Sequence, residues 1–187
     1  MQWKPVLFVT LFGSLVLGGC KKDKTTPEEN EEEVITTLQL QITPVSGGTP
    51  LTFSYRDIDG PGGNAPVVDA IELAPNMAYD VSLKVLNESV SPAEDITTEI
   101  EEESNAHRFY FTPSAGSNIA VSALSTDAAG IPVGLTSRWT TTAAAAGTIG
   151  ITLRHYPGNP PGKAADDAID SNKSGTDIAV TFTTRIQ

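Results

Sequence analysis

From Val34 onward, apolar side chains recur at every second position. Val34, Thr36, Leu38, Leu40 and Ile42 alternate with Thr37, Gln39 and Gln41, the mark of a strand buried on one face. Leu51, Phe53 and Tyr55 repeat the pattern after a Ser46-Gly47-Gly48 turn, and Tyr79, Val81, Leu83 and Val85 repeat it again. Residues 67–73 form a weaker candidate between them. Further alternating runs cover residues 107–112, 118–125, 135–142, 147–156 and 176–186. Thr126 to Gly130 and Ala143 to Gly147 read as hairpin connectors. The stretch 157–175, rich in Pro, Gly, Asp and Ser, is the longest irregular piece.

One helical signal interrupts the strands. Ser91-Pro92-Ala93-Glu94 has the form of a capping box with proline at the first helical position, which predicts a short helix over 92–104. Ile96 and Ile100, four apart, would dock it on a sheet. The acidic run Glu101 to Glu103 lies unfavourably near the negative end of the helix dipole, so fraying is expected by Ser104. About eight or nine short strands, one helix and no helix–strand alternation predict an all-β fold: an immunoglobulin-like antiparallel β-sandwich, with a closed barrel as the alternative. The Cys…Trp…Cys signature of true immunoglobulin domains is missing.

The first twenty residues follow a different rule. Lys4 supplies a positive start, Pro5 to Leu17 are an apolar run of 13 residues, and two glycines precede Cys20. That run fits a secretory signal and falls short of the ~20 apolar residues that span a bilayer. Leu17-Gly18-Gly19-Cys20 resembles the lipobox of bacterial lipoproteins. The resemblance implies cleavage before Cys20 and acylation of its thiol, with residues 1–19 as signal peptide. An ordinary signal peptide with a chance cysteine is the alternative. Cys20 is the chain's one cysteine, so its lipidation leaves no thiol for a disulfide or a metal, and the fold must stand on its core.

Residues 21–33 (KKDKTTPEENEEE) carry no apolar side chain and read as a disordered acidic tether that begins at Cys20, leaving 34–187 as a single domain. The charged stretch after Cys20 is similar to the export tags of Bacteroidota lipoproteins, which implies the outer membrane and favours its outer face. LNESVSPAEDITTEIEEE, HRFYF, ITLRHYP and TDIAVTF likewise resemble a group of Bacteroidota lipoproteins with no assigned activity, some labelled type 1 periplasmic-binding-domain proteins. That label implies two α/β lobes, for which this chain has neither the length nor the alternation. Loss of Lys4 with the signal leaves 11 basic against 23 acidic side chains, a formal charge of −12. This argues against nucleic acid and against docking on an anionic membrane face; the lipid is the expected membrane contact.

Candidate chemistry is sparse. Asp57-Ile58-Asp59-Gly60-Pro61-Gly62-Gly63-Asn64 offers closely spaced carboxylates suited to calcium, although Pro61 stands where a third side-chain oxygen belongs; an ordinary turn explains the loop equally. His107 and His155 are the only histidines, both near strand ends. With a carboxylate such as Glu88 or Glu94 they would make a zinc or copper site, and otherwise they are two separate rim histidines. Trp139, Tyr110 and Tyr156 suit either a sugar-stacking platform or the core, and Trp139 shares the parity of Leu135. The carboxylates at 94–103 read as a solvated helix face before an acid/base pair. No catalytic constellation is recognisable: no GxSxG elbow is present and no Gly-rich phosphate loop joins a strand to a helix. The expectation is a non-enzymatic envelope lipoprotein that binds a protein partner or small ligand through its loops and needs no cofactor. A metal-binding lipoprotein is the alternative, and an envelope hydrolase a more distant one.

Overall fold

The computed structural model describes Met1 and residues 33–187. The signal segment, Cys20 and all of the expected tether before Glu33 lie outside the described residues. In chain order the first elements are β1 (Thr37–Pro44), β2 (Leu51–Arg56), β3 (Val67–Val68), β4 (Ile71–Leu73), β5 (Ala78–Asn87), β6 (Glu94–Asp95) and α1 (Ile96–Glu102). There follow β7 (His107–Pro113), β8 (Ile119–Ser122), β9 (Thr136–Thr141), β10 (Ala145–His155) and β11 (Gly175–Ile186). The strands form an all-β sandwich of two sheets. One runs β3-β2-β1-β5-β9-β8, with β6 paired to β5; the other runs β4-β11-β10-β7. Pairing is antiparallel except between β4 and β11.

The period-two pattern explains the core. Leu38, Leu40 and Ile42 of β1 and Val81 and Val85 of β5 meet Phe109 of β7, Ile149, Ile151 and Leu153 of β10 and Phe182 of β11 in one buried cluster. Each such side chain contributes ~1.5–3 kcal/mol on burial, which is how a fold without disulfides holds. Trp139 is fully buried in the same cluster, with its indole N–H donated to Ser137 Oγ at 3.0 Å and its edge against Phe111. Leu51, Phe53 and Tyr55 alternate as expected yet are less buried, because seven strands lie over four and the β2–β3 flank overhangs. Residues 133–135 close one side of the sandwich: Val133 O accepts from Phe109 N of one sheet, and Leu135 O accepts from Leu83 N of the other. Gly134 sits between them at φ +84, where a Cβ would lie 3.1 Å from Phe109, so the crossing needs glycine.

Two local expectations are revised. The helix covers Ile96–Glu102, not 92–104. Glu94 and Asp95 pair with Asn87 and Leu86 as β6, and the Glu94 carboxylate accepts from Asn87 Nδ2 at 3.2 Å instead of reaching back to Ser91. Asp95 caps the helix by accepting from Thr97 N at 3.2 Å. Ile96 and Ile100 are buried as expected. The second revision is at Ala143 to Gly147, where β10 already begins at Ala145. There the edge residues Ala145, Ala146 and Gly147 pair with Ile186, Arg185 and Thr184.

The registers sort the molecule into two ends. The start of β1, the ends of β2, β5 and β10, helix α1 and the starts of β7 and β11 lie together. Glu33 lies close enough to Glu99 and Glu103 to feel their charges, so the chain enters the sandwich at this same end.

Candidate functional site

β7 and β10 pair so that His107 stands directly opposite His155. The sequence spacing of 48 residues gives no hint of this; the sheet does it. The two rings stack with centroids 4.8 Å apart and planes 17° from parallel. His107 is fully buried and His155 half-buried. The turn between α1 and β7 brings Glu103 back over them: Ala106 N donates to Glu103 O at 2.8 Å, and His107 Nδ1 meets the same carbonyl at 3.2 Å. A carbonyl only accepts, so Nδ1 carries the proton and His107 Nε2 keeps its lone pair. That nitrogen and His155 Nδ1 are buried without a hydrogen-bond partner among the described residues. Leaving a buried polar atom unpaired costs ~1–3 kcal/mol, so the pair calls for an explanation.

One potential ligand atom from each of Glu103, His107 and His155 lies within 4.8 Å of the others. Burial, with smaller contributions from His155 and Lys163, pushes the His107 imidazole down to about 4, so it is neutral near pH 7. Beside the histidines is an open cavity of about 190 Å³, lined by Glu102, Glu103, Asn105, His155, Tyr156 and Asn159 among others.

A second feature, illegible in the sequence, frames this end. Lys163 lies in the long 157–174 connection, yet its ammonium is buried, 2.9 Å from the equally buried Asp127 carboxylate. It also donates to Ser104 O at 2.5 Å and His107 O at 3.1 Å. Asp127 Oδ1 meanwhile accepts from Ala129 N and Ile131 N, both at 2.9 Å, so the turn is built around the carboxylate. Against the raising effect of burial, Lys163 and the backbone N–H groups of Ile131 and Ala129 hold the Asp127 carboxyl below its usual range, and burial lowers Lys163. The connection is strapped elsewhere too. Arg108 donates to Ala164 O and Ala165 O, and Arg154 to Ser171 O and Ser174 O. Its middle is therefore scaffold more than an adaptable recognition loop.

The remaining candidates fall elsewhere. Glu88 is bound by Arg56, with contacts of 3.1 Å to both carboxylate oxygens, and by Thr37, while Glu94 is engaged by Asn87; Glu103 is the carboxylate beside the histidines. Asp59 Oδ2 accepts from Asn64 N at 2.9 Å and Nδ2 at 2.7 Å, closing its own turn, and Asp57 Oδ2 accepts from Tyr55 at 3.3 Å. Asp59 is thus engaged within the loop and Asp57 by strand β2, and the two are not brought into a common site with the histidines. Tyr156 is fully buried with its hydroxyl 2.7 Å from that of Tyr110, and Arg108 covers the Tyr110 ring, so with Trp139 in the core no open aromatic platform remains among them. The exposed acids Glu99, Glu101, Glu102 and Glu103 form a solvated helix rim. Among the described residues no helix is long and apolar enough to cross a membrane. Cys20 lies outside the described residues.

Comparison with protein-family models, curated proteins and solved structures finds no match.

Proposed function

We propose that this chain is a lipid-anchored, non-enzymatic binding protein of the outer membrane, whose ligand seats at the end of the sandwich that the tether enters. The anchor half of the reading rests on the apolar leader and Leu17-Gly18-Gly19-Cys20. The binding half is carried by one observation: the cavity, lined in part by the start of the 157–174 connection, lies beside the two unsatisfied imidazoles at the end where Glu33 enters the fold. A rigid sandwich presenting loops at one end is a frequent arrangement for recognition. Binding is favoured over catalysis because neither imidazole hydrogen-bonds a hydroxyl or a carboxylate among the described residues, so no nucleophile is activated there.

Residues 21–33, fully extended, reach at most about 45 Å from the lipid. Because the tether joins the sandwich at the binding end, that end would stay within this reach of the membrane. Cell fractionation tests the anchor. Wild-type protein should stay with the membrane and yield an N-terminal peptide carrying acyl mass on Cys20, and Cys20→Ser should move to the soluble fraction. An unmodified Cys20 in wild-type protein would remove this half of the reading.

A further inference from the structure

We propose that Glu103, His107 and His155 form a binding site for a divalent transition metal ion, with zinc as its natural occupant. The proposal names the ligand of the binding end described above, and rests on that reading for its biological use but not for its geometry. The observation behind it is the pair of buried ring nitrogens, His107 Nε2 and His155 Nδ1, for which the described residues supply no partner. A core histidine kept only for packing would be expected to satisfy both nitrogens or to expose one. His107 does neither, being fully buried with its Nδ1 proton fixed on Glu103 O. That arrangement is what a metal-ligating histidine needs: one nitrogen held by a carbonyl, so that the other presents a lone pair in a set direction.

The donor set selects the metal. Two imidazoles and one carboxylate, with no cysteine among the described residues, suit borderline divalent ions; calcium and magnesium prefer all-oxygen cages, and monovalent copper prefers sulfur. An imidazole lone pair lies in its ring plane, so two nearly parallel stacked rings do not point at a common ion, and His155 must turn out of the stack before both nitrogens can ligate one zinc. Ligand atoms now within 4.8 Å of one another must draw closer to share an ion at ~2.0–2.2 Å. Exposed Glu103 and half-buried His155 are the ligands that must move, and fully buried His107 is the fixed member. The adjoining cavity, lined by Glu103 and His155, gives water or an incoming ligand access to that side of the site. Glu99, one helical turn before Glu103, adds negative charge, and the nearby Lys163 cation is offset by Asp127.

The test is zinc titration of the full, tag-free chain in detergent against a chromophoric chelator, with nitrogen-detected NMR of the imidazoles. One zinc per chain is expected, with the His107 Nε2 resonance moving on addition and its Nδ1 proton retained. His155→Ala and Glu103→Gln, both at positions that do not hold the core, should each weaken binding about tenfold or more, equivalent to about 1.4 kcal/mol. Asp59→Asn, in the loop that closes on Asn64, should bind as wild type. Absence of zinc binding, or binding that survives both substitutions with the imidazole resonances unmoved, overturns the proposal. Acylation of Cys20 does not enter this readout, so failure here and failure of the anchor are separate results.

Discussion

At the scale of single residues, His107 links fold and chemistry most tightly. Its folded-state value near 4 lies below the ordinary 6.5, so between those values the unfolded chain binds more protons than the folded one. Stability should therefore rise with pH across that window and be lost as pH falls through it, by about 3 kcal/mol at most from this group alone. Glu33 acts in the opposite sense. Burial and then the charges of Glu99, Glu103 and Glu94 push its carboxyl up to about 7, so its contribution declines as pH rises from 4.5. Urea midpoints measured across this range in metal-free buffer should show a steeper rise for Glu33→Gln than for wild type and a flatter one for His107→Phe. An unaltered profile in both variants would contradict these assignments. Neither effect is legible in the sequence: that His107 is buried follows from a partner strand 48 residues away, and Glu33 is shifted because the fold buries it near Glu99, Glu103 and Glu94.

At the scale of elements, strands were the legible part. The alternation of Leu38, Leu40 and Ile42, or of Val81, Leu83 and Val85, states which face is buried, and the structure buries those faces. The helix was legible in kind but not in extent, because Ser91-Pro92-Ala93-Glu94 satisfies a local capping rule while the pairing of Glu94–Asp95 with β5 overrides it. The 157–174 connection was the least legible. Pro, Gly and Asp there announce a loop, but nothing local says that Lys163 is buried against Asp127, 36 residues earlier. This pair fastens the connection to Ser104 and His107, and so holds the turn that carries Glu103. Removing one partner of a buried pair leaves the other charge stranded, so Lys163→Met or Asp127→Asn alone should each cost about 3–5 kcal/mol. The double variant should cost clearly less than their sum in a double-mutant cycle of denaturant unfolding. Additive losses would mean that the two groups do not stabilise one another.

For the whole molecule, the claim is one of polarity. The chain enters at the end that carries α1, the paired histidines and the cavity, while the opposite end is made of the turns after β1 and β4 and the end of β11. A disulfide-free sandwich supplies the rigidity, and the net negative charge of the chain favours the approach of cations. The two histidines were visible in the sequence as candidates; their meeting was not, since ligands far apart in the chain become neighbours only through strand register. Diffraction from crystals of the full chain grown with zinc, recorded on both sides of the zinc absorption edge, addresses this most directly. The account predicts one strong anomalous peak bonded by His107 Nε2 and His155, at the end where Glu33 enters the fold. A zinc peak at the Asp57–Asn64 loop or the opposite end, with none between the two histidines, would contradict it.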